Sequence, residues 1–190
     1  MNQSKQEFLQ FESQAALEAW LRAKKIDIDA WGGNGAKRIA DLWEELQCGD
    51  CFLRDDPPLR SIHLAEVIIE RDGKRLIEAE QELGDGTRRQ RRIPPSEKMR
   101  PDEDILLAAL RGLREELQVS PEAITLLPQT HWQRQRELDS PSYPGLPTQY
   151  TIHRIEAVVD GLPDEDFWCD NLAFAHGDPV RRQRWTWVER

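Results

Sequence analysis

A chain of 190 residues can form one ordinary domain with a core, and its apolar residues (38% against 32% charged) are grouped, which excludes wholesale disorder. The formal net charge of −9 works against non-specific nucleic-acid binding and is compatible with carboxylates that hold a divalent cation. No apolar run approaches the roughly 20 residues that span a bilayer, and residues 1–11 carry no basic segment leading into an apolar one.

In chain order, Leu17, Trp20 and Leu21 fall at helical spacing behind Ser13, a good cap. Trp31 to Gly35 reads as a break, and a second helix follows with Ile39, Leu42, Trp43 and Leu46 on one face and Gly49 as its stop. Cys48 and Cys51 form a C-x-x-C without the second ligand pair that zinc needs. With Cys169 they make three, which is no disulfide framework, so a reducing cytoplasm is the expected compartment. Asp55 to Pro58 reads as a linker. The division expected is a helical extension over 1–60 and an α+β domain over 61–190. Residues 1–60 are a candidate surface for a homodimer or a docking partner.

From Ile62 the pattern changes to strands. Ile62–Glu70 and Arg75–Glu82 flank the hairpin signal Asp72-Gly73, and Thr87–Ile93 follows the turn Gly84-Asp85-Gly86. Asp102–Gln118 is the best helical stretch, with Leu106, Leu110, Leu113 and Leu117 as a stripe. Ile124–Leu127 and Thr130–Glu137 read as short strands, Ser140–Pro147 as a loop able to shape a pocket, Gln149–Val159 as a long strand and Arg184–Val188 as the last. Asp164–His176 reads as a short helix or loop.

The chemistry concentrates around the best helix. Glu103 stands near its start, where a carboxylate suits the helix dipole. Arg111 and Glu115 are an i, i+4 pair, and Glu115 and Glu116 project away from the leucine stripe. Such carboxylates could converge on a hard cation, although a Glu/Arg-rich face is more often simply solvated.

With its spacing, Glu97 to Val119 resembles the Nudix box, G-x5-E-x7-R-E-U-x-E-E-x-G-U with U aliphatic. Glu103, Arg111, Glu115 and Glu116 stand in register, Leu113 and Val119 fill the aliphatic positions, and Pro95-Ser96-Glu97-Lys98 stands where Pro-Gly-Gly-Lys is common. The resemblance implies a Nudix-like α/β/α sandwich with a mixed sheet. It also implies Mg2+ (or Mn2+) and hydrolysis of a small-molecule substrate, a nucleoside diphosphate linked to another moiety. Carried over by position, Glu115 and Glu116 are the main metal ligands, Glu103 a supporting one, and Arg111 the residue that orients the carboxylates. The alternative is a catalytically impaired Nudix-like module that binds a nucleotide or a protein partner.

Three box positions depart. Glu97 and Gln118 replace glycines, and Gly112 replaces the glutamate after the box arginine. A glycine inside a helix costs about 1 kcal/mol against alanine, so either something approaches the helix closely there or the site has drifted. The Glu97 carboxylate could supply the missing charge; pointing to solvent is the plainer reading.

Other signals are weaker. On a strand Arg88 and Arg92 face one way and Arg89 and Arg91 the other; one of those pairs could grip phosphates, and Arg88, Arg92 and Lys98 are the candidate contacts. The competing reading is an exposed strand whose charges deter edge pairing. His63, His131, His153 and His176 follow no metal-binding spacing. Trp132, Tyr150, Trp168, Trp185 and Trp187 could include a base-stacking platform, yet aromatics mostly serve packing. Asp164, Glu165 and Asp166 read as an acidic surface loop.

Overall fold

The computed structural model describes residues 8–33, 36–176 and 178–190, without the side chains of Ala173 and His176. Asn34 and Gly35 of the expected break, and the His176 side chain, lie outside the described residues. The architecture is α+β, with helices α1 (Gln14–Ala23), α2 (Ile39–Cys48) and α3 (Ile105–Leu117). The strands are β1 (Phe52–Arg54), β2 (Leu59–Arg71), β3 (Lys74–Leu83), β4 (Arg88–Ile93), β5 (Ser96–Lys98), β6 (Ile124–Asp139), β7 (Pro147–Val159), β8 (Phe167–Asp170) and β9 (Val180–Glu189). Strand order is β6-β7-β2-β3-β9-β8, with β1 and β5 also paired to β2, and β4 to β3. Among the described residues no helix is long and apolar enough to cross a membrane.

The chain divides into two compact units, and β2, β6 and β7 contribute residues to both. The first comprises 1–63, 100–102 and 134–152. Within it, Ser13 accepts the Ala16 N–H at 3.2 Å and opens α1, which buries Leu17 and Leu21. Gly49 closes α2 in the left-handed conformation (φ 76°) that glycine adopts without strain. Helix α2 buries Leu42 and also Glu45, whose carboxylate meets the Arg60 guanidinium and, at 2.6 Å, Lys37 Nζ. Buried Arg60 lies over the Tyr143 ring, 4.8 Å from its centroid, so its charge is held by an acid and an aromatic face together. Asp55 to Pro58 is the turn of a hairpin, because Phe52–Arg54 pairs antiparallel with Leu59–Ser61. Cys48 is exposed, Cys51 is buried, and neither is in a disulfide.

The second unit comprises 64–99, 103–133 and 153–190. Asp72 and Gly73, both at positive φ (52° and 76°), make the tight turn that joins β2 to β3, as the Asp-Gly signal demands. Strand β3 pairs antiparallel with β9 on one side and β4 on the other. The core gathers Val67, Ile69, Leu76, Ile155 and the fully buried Trp185 from the strands with Ala109, Leu113 and Leu117 from α3. The buried helix face therefore runs through Ala109 and Leu113, and Leu106 and Leu110 are only partly covered beside it. Residues 124–139 form one strand rather than two. Asp164–His176 contains strand β8 and a 3-10 turn at Leu172–His176.

Candidate functional site

Strand β5 pairs with β2, Ala65 opposite Glu97 and Leu64 opposite Lys98. The chain then leads to Asp104, whose carboxylate accepts the Leu106 N–H at 2.8 Å and caps α3. Glu103 lies one residue before that cap, so it is outside the helix and free to turn back on it. The strand, loop and helix together form the site.

Arg111 is its centre. Its Nε and Nη2 donate to the two oxygens of Glu103 at 3.0 and 2.9 Å, the two-pronged geometry a guanidinium is shaped for. Nη2 also donates to the Lys98 carbonyl at 2.7 Å, which ties the helix to the end of β5. Nη1 meets Glu97 at 3.0 Å and Glu115 at 3.6 Å. Three carboxylates thus share one cation, and the Glu103 hydrogen bond first, then Glu97, push the Arg111 pKa up against its burial. Glu97 and Glu103 are largely covered, whereas Glu115 is 53% exposed.

Glu116 behaves differently. The sequence sets it on the outer side of α3 beside Glu115; the structure turns it inward, because it follows Gly112 by one turn and Gly112 is buried. The residue is half-buried, but its carboxyl Oε2 is sealed and has no hydrogen-bond partner. The Ser96 backbone N–H donates to the carboxyl group. Burial first, and then the negative charges of Glu78 and Glu97, hold this group well above the usual carboxyl range. Burial also raises Glu97, with Arg111 opposing, and Glu78, with Arg91 opposing at 3.2 Å.

Glu78 went unnoticed in the sequence reading. The available signal is the E-x-E-x-E of β3, in which Glu78, Glu80 and Glu82 are all buried. Those acids engage the arginine run. Arg88 pairs with Glu80 (3.3 Å) and Glu82 (3.1 Å) and lies over Trp168, while Arg182 takes Glu82 from the other side at 2.8 Å. A bulge in β4, where Glu78 opposes Ile93 but Glu80 opposes Gln90, and the left-handed backbone of Arg92 (φ 60°) interrupt the alternation that would set Arg92 beside Arg88. Lys98 stands at the end of β5, on the site through its carbonyl.

Two departures from the box have a local cause. An ideal Cβ on Gly112 would stand 2.6 Å from Glu97 Cβ and 3.3 Å from its Cγ, so the close approach is real and the intruder is Glu97. Gln118 ends α3 in the left-handed conformation (φ 53°), where glycine is the easy choice, and its amide donates to the Asp170 carbonyl at 2.5 Å.

The donors are hard carboxylates, and the Glu116 oxygen is left over, which is the chemistry of a cation site. Their arrangement is not. Among the described residues no three His, Cys, Asp or Glu side chains converge on a point that could hold a metal ion. The acids surround a guanidinium instead, and the space between β5 and α3 is too narrow for a water molecule. As they stand, these residues do not fit Mg2+ or Mn2+.

No family model and no curated protein matches the chain. Solved structures to which it is similar include the E. coli ORF135 protein (22% identity over 68% of this chain and 74% of that one, TM-score 0.36). A C. elegans Ap4A hydrolase in a binary complex is similar at 17% identity over 68% and 79% (TM-score 0.37). An ADP compounds hydrolase is similar at 16% over 72% and 67% (TM-score 0.33). Likenesses this distant carry no argument about chemistry, which rests on the side chains.

Proposed function

We propose that this chain is a Nudix-type pyrophosphohydrolase acting on a nucleoside diphosphate linked to a second moiety. The observation that carries the proposal is the Arg111 cluster. Two of the charged positions in box register, Glu103 from a loop and Glu115 from the helix, both meet a third, Arg111, which also bridges to the strand end, while Glu116 on the same helix turns its carboxyl inward. Glu115 is the accessible carboxylate and is proposed as the group nearest substrate; the buried carboxyl of Glu116 is held toward its protonated form. Arg111 holds Glu97 and Glu103 in place. Lys98, Arg88 and Arg92 are the proposed phosphate contacts. Glu97, Glu103, Glu115 and Glu116 are the carboxylates that the box reading assigns to a metal, and as arranged they do not fit one.

That same misfit favours a second reading, a Nudix-like module that binds a nucleotide or a protein without turnover. One experiment separates the two. The purified chain is incubated with nucleoside diphosphate derivatives, with Mg2+, with Mn2+ and with chelator, and phosphate release is followed. Hydrolysis that falls at least about 10²-fold in Glu115→Gln and in Glu116→Gln supports the enzyme. No turnover, together with nucleotide binding that ignores chelator, establishes the module.

A further inference from the structure

We infer that the site's third carboxylate has changed elements: Glu97 on β5 fills the room that a side chain at position 112 of α3 would need, and Gly112 is what admits it. The word "changed" rests on the box reading above; the mutual exclusion of the two side chains does not.

The geometry is direct. Glu97 Cβ lies 2.6 Å from where a Gly112 Cβ would be, closer than side chains approach, and the neighbour is the fixed base of the Glu97 side chain rather than a flexible end. Glu97 cannot back away easily, because its strand is paired, Ala65 opposite Glu97. The exchange also conserves charge in place. Glu97 reaches Arg111 at 3.0 Å, beside the Glu103 contact at 2.9 Å, so Arg111 keeps a carboxylate from this side although α3 supplies none at 112. Glu97 is therefore a positioning residue that acts through Arg111. The two departures that look like separate losses in the sequence are one substitution made in two halves.

The halves give opposite signs to the same mutation. Alanine normally improves a helix over glycine, by about 2–4 °C in thermal midpoint for a chain of this size. Gly112→Ala in the native chain should instead lower the midpoint, and in a Glu97→Gly background it should raise it. The same direction of change in both backgrounds overturns the exchange. Charge is read separately, in Glu97→Gly/Gly112→Glu against Glu97→Gly/Gly112→Gln, by NMR of the Arg111 Nη1–H that faces Glu97. The glutamate variant should restore its native shift and slow solvent exchange, and the glutamine variant should not. Equal spectra, or a glutamate variant that does not fold, overturn it too. Absence of diphosphate hydrolysis by the native chain would sink the enzyme reading alone, leaving the midpoint and NMR comparisons to decide this one.

Discussion

Glu116 keeps one carboxyl oxygen where neither solvent nor a donor reaches it, an arrangement that costs on the order of 1–3 kcal/mol for a neutral group and more for a charged one. The fold therefore favours the protonated form, and the carboxyl keeps its proton to higher pH than it does in the unfolded chain. Its contribution to stability is fully present at or below that ordinary range and is lost as pH rises toward the raised folded value; Glu97 and Glu78 push in the same direction. Glu116→Gln keeps the shape and removes the proton. Thermal denaturation should show the variant close to the native chain at about pH 5 and more stable than it by about pH 8, the gap widening between them. A gap that narrows with rising pH would mean that Glu116 is ionised in the fold. Glu116 also shows where the sequence stops being legible. Its type and its register were readable; that it faces inward was not, because Gly112, one turn earlier, opens that face of the helix to β5.

At the scale of elements, α3 sets the site, since it carries Arg111, Glu115 and Glu116 and is started by Asp104. Asp104→Ala removes the cap and should cost about 1 kcal/mol, a fall of about 2–4 °C in thermal midpoint. No change in midpoint would show that the Glu103–Arg111 clamp alone fixes this end. Helix α3 was plain in the sequence because its period runs over three turns. The Asp72-Gly73 hairpin was plain because only a few residue pairs tolerate two positive φ angles in succession. Strand β8 was hidden for the opposite reason. Four residues, Phe167–Asp170, carry too short a pattern, and what makes them a strand is the edge of β9, with Phe167 opposite Trp185 and Asp170 opposite Arg182. Strand β1 was likewise hidden, its partner lying beyond what read as a linker.

For the molecule as a whole, the charge pattern was the least legible signal. Five residues from Arg88 to Arg92 look locally like a grip for phosphate, yet the acids that engage Arg88 and Arg91 lie on β3, where Arg182 and Arg184 of β9 converge as well. No local spacing relates positions so far apart in the chain. The sorting of 134–152 with the first 63 residues was equally beyond reach, since contacts rather than composition define that unit.

The interlock of Glu97 and Gly112 has a consequence for descent. A glutamate cannot return at 112 without displacing Glu97, because the newcomer would meet the old side chain before any benefit arrived. The two sites should covary, an acid at one accompanied by a glycine at the other. Reversion must pass through an ancestor with neither acid, in which Arg111 has lost one of its holders.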